Sequence, residues 1–97
     1  MRSTVLIPFF AALAYAADGT ITYTRADTSA KNSMLSPPND VCLPIQGGAT
    51  ELSNDSDATV FLYATAGCSG GYDIVGVGAI WSASVAAAQG IRLGSAP

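Results

Sequence analysis

Cys42 and Cys68 are the only cysteines in the 97-residue chain, so sulfur chemistry is the first possibility that the sequence raises. Neither lies in a CxxC pair, and neither has a histidine or a basic residue close by in sequence that would lower the pKa of its thiol. A redox role therefore has no local support. In an exported chain of this size the two cysteines most simply form one disulfide, with two free thiols as the alternative. The bridge would stabilise the fold by about 3.5 kcal/mol in the chain-entropy model.

The remaining reactive side chains give little support for catalysis. The chain contains no histidine, which excludes Ser-His and Cys-His nucleophile pairs and the commonest general base at neutral pH. Asp55 and Asp57 stand two residues apart in a predicted turn, whereas glycoside hydrolysis needs two carboxylates across a sugar-binding cleft. The spacing of the two cysteines does not fit a structural zinc site. We therefore predict no catalytic residue, no metal site and no cofactor, and we expect a protein that is not an enzyme.

Asn54, Asp55 and Ser56 form the Asn-X-Ser pattern of an N-glycosylation acceptor. Residues 54–57 have the composition of a turn rich in side-chain caps, so we predict that Asn54 lies at the surface. Asn54 is therefore a candidate glycosylation site if the chain is exported. A glycan there would keep that face away from a partner and improve solubility.

The distribution of charge bears on the choice of partner. The chain has four basic and seven acidic residues, and one of the basic residues, Arg2, lies in the predicted signal peptide. Arg25, Lys31 and Arg92 are scattered singly and form no patch that would neutralise phosphates. We therefore expect no binding to nucleic acid and no electrostatic attachment to anionic lipid.

Residues 1–16 have the features of a secretory signal peptide. Arg2 precedes an apolar run over residues 5–14, and small residues, Ala14 and Ala16, flank Tyr15 at a suitable cleavage site. A buried N-terminal helix is the alternative, although Pro8 interrupts the run. The run is too short to span a bilayer, so we expect no membrane span. The sequence thus predicts a secreted, extracellular protein with one domain over residues 17–97.

Strand patterns dominate this domain. Threonines alternate with Ile21 and Tyr23, and residues 58–65 are β-branched or aromatic in their middle. Short strands are predicted over residues 41–45, 50–53 and 91–95, and one or two further strands over residues 72–85. Polar or glycine-rich segments predict turns over residues 25–40 and 66–71, and the nearly uncharged residues 75–88 are expected to lie in the core. Residues 86–90 have the composition of a single helical turn ended by Gly90.

One hairpin pattern resembles a known family. Tyr63, four residues, Cys68, one residue and Gly70 are similar to the signature of the βγ-crystallin Greek key, and the segment "GIRLG" stands where that family has its closing strand. The pattern recurs around Tyr23, with "ATELS" at the corresponding distance. The layout resembles small secreted βγ-crystallin-like proteins of filamentous fungi, and more distantly killer toxins and metalloproteinase inhibitors of that fold.

The resemblance implies an all-β fold in which two Greek-key motifs form a small sandwich. It would place Cys42 on the third strand of the first motif, facing the corner of the second motif. Many members of the superfamily bind calcium through an acidic pair and hydroxyl residues before the last strand of each motif. The corresponding segments here, "IQGGAT" and "VAAAQG", contain no carboxylate, so the resemblance does not extend to that calcium site.

These observations favour a small secreted interaction protein without enzymatic activity, similar to an effector or toxin and acting on a host or a competitor. The expected partner is an extracellular protein or a cell-wall polymer, and the expected state is a monomer. Tyr23, Tyr72 and Trp81 are candidates to stack on sugars or anchor an interface, although packing in the core is the expectation for each. An inhibitor of extracellular proteases is one alternative, with residues 36–40 as its loop. A structural protein of the cell wall is another.

Overall fold

The computed structural model describes residues 17–83 and 86–97. The predicted signal peptide, residues 1–16, lies outside the described residues. The prediction of an all-β fold is confirmed, and the described chain forms seven strands joined by turns. The strands are β1 (Gly19–Arg25), β2 (Lys31–Leu35), β3 (Leu43–Ser56), β4 (Val60–Tyr63), β5 (Tyr72–Val75), β6 (Ile80–Ser82) and β7 (Ala88–Leu93). The part of the chain that the structure describes has no helix long and apolar enough to cross a membrane.

The strands pair antiparallel in one sheet with the order β2-β1-β3-β7-β4-β5, and β6 pairs with β3 beside this path. In the first half of the chain, β1 lies between β2 and the later part of β3. In the second half, β4 lies between β5 and β7. The two halves therefore have the same topology. In each half the first strand, β1 or β4, forms a hairpin with the second strand and also pairs with the last strand, β3 or β7.

Each half also contributes a strand that pairs with the other half. The start of β3 pairs with β7, where Leu43 lies opposite Ile91 and Pro44 opposite Gly90. Conversely β6, from the second half, pairs with residues 51–53 of β3. Glycines with positive φ, Gly47 and Gly48, lie inside β3 where its register shifts. This exchange ties the halves together, and nothing in the pairing conflicts with a sandwich of two Greek-key motifs.

Alternation along the strands builds a single core. On β1 the side chains of Ile21 and Tyr23 are buried while their threonine neighbours are partly exposed, which is the pattern predicted from the sequence. Val60 and Leu62 of β4 face the same interior as Ile91 and Leu93 of β7. Burial of each such aliphatic side chain stabilises the fold by about 1.5–3 kcal/mol.

Four local predictions are wrong. Residues 25–40 are not turn throughout, because β2 lies within them and pairs with β1. Residues 54–57 are not a turn, because β3 continues to Ser56 and pairs with β1 throughout. Residues 86–90 are not a helical turn, because β7 begins at Ala88 and pairs with β3 and β4. Residues 75–88 are not uniformly in the core, because a turn at residues 76–79 leaves Val77 and Ile80 more than half exposed.

Candidate functional site

The predicted disulfide is confirmed. Cys42 and Cys68 are bonded, with their Cα atoms 5.9 Å apart, and the described chain has no free cysteine. Cys42 lies just before β3, and Cys68 lies in the corner between β4 and β5. The bond therefore fastens this corner to the start of the strand that both halves share.

Hydrogen bonds and close packing fix the same corner. The Thr65 hydroxyl accepts a hydrogen bond from the Ser69 backbone N–H at 3.1 Å, and the Thr65 carbonyl accepts one from the Cys68 N–H at 3.2 Å. Cys68 has a φ of 54°, a left-handed conformation that is unusual for a residue with a side chain. Beneath the corner runs Gly90 of β7, whose Cα faces the Thr65 carbonyl and the Cys68 sulfur. The corner thus holds the ends of β4 and β5 in a defined position.

Three aromatic rings meet where β4 and β5 enter this corner. The ring of Tyr72 is 5.6 Å from that of Phe61 in an edge-to-face arrangement, and 5.8 Å from that of Tyr63. Phe61 and Tyr63 are buried, whereas Tyr72 is 45% exposed. Tyr72 therefore presents a large ring to solvent while two buried rings support it.

Tyr72 lines a groove of about 340 Å³ together with Tyr63, Asp73, Trp81 and the alanines at residues 86–88. We call this the Tyr72 groove. The indole N–H of Trp81 donates a hydrogen bond of 2.9 Å to Oδ2 of Asp73, which links β6 to β5 across the groove. Tyr72 and Asp73 are neighbours on β5 and so direct their side chains to opposite faces of the sheet, the ring toward Phe61 and Tyr63 and the carboxylate toward Trp81.

A second cavity, of about 220 Å³, lies on the other side of Tyr72 and includes Tyr63, Gly70 and Arg92 in its lining. Within the described residues, Nε of Arg92 is buried and has no hydrogen-bond partner. Tyr72 thus separates a carboxylate on one side from a guanidinium on the other. Neither Asp73 nor Arg92 was singled out as a site residue from the sequence. Asp73 directly follows Tyr72 in the chain, whereas only the pairing of β4 with β5 and β7 brings Arg92 to this ring.

The other predicted aromatic candidates lie elsewhere. Tyr23 is buried, as expected, and its hydroxyl donates to the Gln46 carbonyl at 3.0 Å and accepts from Asn32 Nδ2 at 3.2 Å. Trp81 packs against the core and is partly buried, also as expected. The expectation of core packing is wrong for Tyr72, because Tyr72 begins β5, a strand at the edge of the sheet.

Asn54 is not the surface residue that the sequence predicted. Its side chain is fully buried on β3, with 0% exposure. Its Nδ2 donates to the carbonyls of Ala58, Val75 and Gly76 at 2.9, 3.0 and 3.1 Å. A glycan attaches to this same nitrogen, so the folded arrangement leaves no room for one. The interpretation of Asn54 as an exposed glycosylation site is therefore wrong for the folded chain.

Residues 36–40, the predicted inhibitory loop, are bonded along the sheet by their backbone. The Ser36 N–H donates to Gly19 O at 2.8 Å, the Pro37 carbonyl accepts from the Ala17 N–H at 2.9 Å, and the Asp40 N–H donates to Leu93 O at 2.6 Å. Pro37 itself is buried. The segment is therefore rigid, and the large exposed side chain beside it is Leu35.

The described residues contain one salt bridge, between Arg25 and Asp27. The Arg25 guanidinium donates to both Asp27 oxygens, at 2.9 and 2.8 Å, and lowers the pKa of that carboxyl to about 2. The pair closes the turn between β1 and β2, and neither residue lines the Tyr72 groove. It therefore belongs to the scaffold.

The described residues contain no cluster of three or more histidine, cysteine, aspartate or glutamate side chains that would hold a metal ion. Comparison with protein-family models, curated proteins and solved structures found no match to this chain.

Proposed function

We propose that this protein is a small exported binding protein, without enzymatic activity, that acts on a host or a competitor through the Tyr72 groove. The observation that carries this proposal is the half-exposed ring of Tyr72, which packs on Phe61 and Tyr63 beside the groove. Exposed aromatic side chains with a buried support are typical of residues that dominate binding energy. Because the ring is already held in place, little side-chain freedom is lost when a partner binds.

The Cys42–Cys68 disulfide supports a location outside the cell. Disulfides persist in oxidising compartments and are rare in the cytosol. A small domain also gains more from such a bond than a large one does, because its core is limited. Export through a cleaved signal at residues 1–16 is part of the proposal.

The chemistry of the groove favours binding over catalysis. Among the lining residues only Asp73 has a carboxylate, and the chain has no histidine. Hydrolysis by acid–base chemistry needs a second titratable group placed across the substrate. A single carboxylate oriented by Trp81 is suited instead to accepting hydrogen bonds from a bound partner.

We also propose that the chain is βγ-crystallin-like. What supports this is the exchange of strands, in which β3 and β6 each pair across to the other half. The same relationship places Cys42 opposite the corner that contains Cys68. The strand pairing supports the proposed scaffold, and the chemistry of the groove supports the proposed binding role.

The binding role is tested with the purified, disulfide-bonded protein carrying a fluorescent label. We expect it to bind intact microbial or plant cells, or their isolated walls, in a saturable manner. Tyr72→Ala should weaken binding about tenfold or more, since loss of about 1.4 kcal/mol is a factor of ten. The matched control is Val77→Ala, which removes an exposed apolar side chain outside β5 and outside the groove lining. Absence of binding to every surface, or equal binding by both variants, would contradict the proposal.

Inhibition of an extracellular protease is a second candidate, favoured by one observation. Leu35 is 80% exposed and directly precedes the segment at residues 36–40, whose backbone is bonded to β1 and β7. A rigid segment with an exposed side chain suits insertion into a protease pocket, because rigidity lowers the entropy lost on binding. The test is a panel of secreted proteases with the natural protein and Leu35→Asp. Inhibition that Leu35→Asp abolishes would favour this candidate over the groove.

A further inference from the structure

We propose that the cavity beside Arg92 binds a small aromatic molecule that has one carboxylate group. The carboxylate binds the Arg92 guanidinium, and the aromatic ring packs against Tyr72. This space, which we call the Arg92 cavity, has a volume of about 220 Å³ and is lined by Tyr63, Cys68, Gly70, Tyr72, Arg92 and Pro97. Such binding is separate from the proposed binding to cell surfaces and does not depend on it.

Arg92 and Tyr72 lie on the same face of the sheet. Tyr63 of β4 lies opposite both Tyr72 of β5 and Gly90 of β7. Phe61 of β4 in turn lies opposite Arg92 of β7. Residues directly opposite each other in an antiparallel pair, and residues two apart on one strand, point to the same face. One ligand can therefore contact the guanidinium of Arg92 and the ring of Tyr72 together.

The guanidinium of Arg92 has no partner among the residues that the structure describes. The salt bridge within this part of the chain joins Arg25 to Asp27, and Nε of Arg92 is buried without a hydrogen-bond acceptor. A buried donor that lacks an acceptor costs free energy, and the cost is larger for a charged group. A carboxylate removes this cost, because its two oxygens match two N–H groups of a guanidinium in a bidentate pair.

Tyr72 supplies a surface for an apolar ring. It is 45% exposed, and the centre of its ring lies 5.6 Å from that of Phe61 and 5.8 Å from that of Tyr63. An aromatic ligand gains from contact with such a ring, both by leaving water and by favourable ring geometry. Because the neighbouring rings already hold Tyr72 in place, little side-chain freedom is lost on binding.

The size and charge of the Arg92 cavity favour a ligand with a single ring and a single negative charge. Its volume of about 220 Å³ lies below the range of about 300–1,000 Å³ that is usual for drug-sized ligands. Among the described residues that line it, only Arg92 is positively charged, and the chain has a formal net charge of −3. A ligand with several negative charges would be repelled by this surplus, whereas a monocarboxylate pairs with Arg92 at little such cost.

The test is an NMR titration of the isotope-labelled, disulfide-bonded protein, observed at the Nε–H groups of its arginines. We expect benzoate to shift the Nε–H signal of Arg92 in a saturable manner. The Nε–H of Arg25, which already donates to Asp27 at 2.9 Å, should not move and serves as an internal reference. Benzamide has nearly the same shape without the charge, and acetate has the charge without the ring. Each should bind at least about tenfold more weakly than benzoate.

Variants identify the side chains that bind benzoate, with the backbone N–H signal of Gly70 in the cavity lining as the readout. Arg92→Gln should weaken binding about tenfold or more, and Arg92→Lys should also weaken it, because lysine lacks the bidentate fork. Tyr72→Phe should retain binding because the ring remains. The matched control is Lys31→Gln, which removes a positive charge on β2 outside the cavity lining and should leave binding unchanged.

Several results would overturn the inference. These are the absence of a saturable response to benzoate up to about 10 mM, equal binding of benzoate and benzamide, and unchanged binding by Arg92→Gln. Equal binding of acetate would show that no ring is recognised. Tighter binding of N-acetylphenylalanine would assign the cavity to the C-terminus of a peptide, and so would also overturn the inference.

The same variants separate this inference from the proposed function. Labelled Arg92→Gln should bind cells as the natural protein does, because Arg92 does not line the Tyr72 groove. Loss of benzoate binding with intact cell binding therefore supports two separate sites. If Arg92→Gln fails to fold, Arg92→Lys keeps the charge at this position and still reports on the bidentate contact.

Discussion

Asn54 and Ser56 form one hydrogen-bonded unit inside the domain. Oδ1 of Asn54 accepts from the Ser56 hydroxyl at 2.6 Å and from the Ser56 backbone N–H at 3.1 Å. Nδ2 of Asn54 donates hydrogen bonds to the carbonyl of Ala58, just before β4, and to the carbonyls of Val75 and Gly76, at the end of β5. One buried amide therefore connects the end of β3 with the second half of the chain, and its polar atoms all have partners in the fold.

Replacing Asn54 with Asp should destabilise the domain strongly. The substitution keeps the shape of the side chain but replaces a donor to three carbonyls by a carboxylate oxygen that repels them. A buried charge without a partner costs about 3–5 kcal/mol in the free energy of unfolding. Urea denaturation at pH 7 measures this loss. The control is Asp55→Asn, an exposed neighbour, which should change stability by no more than about 0.5 kcal/mol. Equal stability of the two variants would refute the role given to Asn54.

Removing the disulfide should lower the free energy of unfolding without abolishing the strand pairing. Cys42 and Cys68 are 26 residues apart, and a loop of this length corresponds to about 3.5 kcal/mol in the chain-entropy model. The double variant Cys42→Ser with Cys68→Ser tests this by urea denaturation beside the natural protein. The corner at residues 64–71 should also become sensitive to protease, because it loses its covalent attachment to the start of β3. Unchanged stability would mean that the corner is held by Thr65 and its hydrogen bonds alone.

The scaffold was largely predictable from sequence because its signals are local. Alternation over residues 20–24 predicted β1, since a strand with one buried face must alternate, and the continuous β-branched and aromatic run at residues 58–65 predicted β4, which is buried on both faces. The disulfide followed from having two cysteines in a chain for which an export signal is predicted. These features depend on neighbours in sequence or on simple counting.

The site was not predictable, since it depends on contacts between distant residues. Nothing near Tyr72 in sequence shows that β5 is an edge strand, which is why its ring is exposed. Likewise the polar residues 54–57 have turn composition, but pairing with β1 overrides that preference and takes Asn54 into the core. The link from Trp81 to Asp73 arises only when β6 and β5 are brought together by folding.

The Arg25–Asp27 pair should make a small, pH-dependent contribution to stability. The pKa of the Asp27 carboxyl in the folded state, about 2, lies below the usual value for an aspartate. The stabilisation is therefore present above about pH 4 and is lost as the pH falls through about 2. Thermal unfolding of the natural protein and Asp27→Asn should therefore differ at pH 6 and converge at pH 2. Since the pair is exposed, added salt should narrow the difference at pH 6. A difference that grows toward pH 2 would contradict this assignment.

Gly90 should be the glycine that is least tolerant of a side chain among those without positive φ. A Cβ at this position would clash with the Thr65 carbonyl oxygen, which is backbone, and would press on the Cys68 sulfur. The corner cannot move aside easily, because the disulfide and the Thr65 hydrogen bonds fix it. We expect Gly90→Ala to destabilise the domain by about 1–3 kcal/mol, the usual cost of overpacking.

The matched control for Gly90→Ala is Gly76→Ala, because a Cβ at Gly76 meets no atom within 4 Å and its φ is not positive. That variant should unfold within about 0.5 kcal/mol of the natural protein. Measuring Gly90→Ala in the background lacking both cysteines tests whether the fixed corner causes the loss of stability. In the background lacking both cysteines the corner is free to move, so the cost of Gly90→Ala should fall, and the two changes should be non-additive. Full additivity would show that the clash is absorbed elsewhere, and that the corner does not hold the ends of β4 and β5 in the defined position described above.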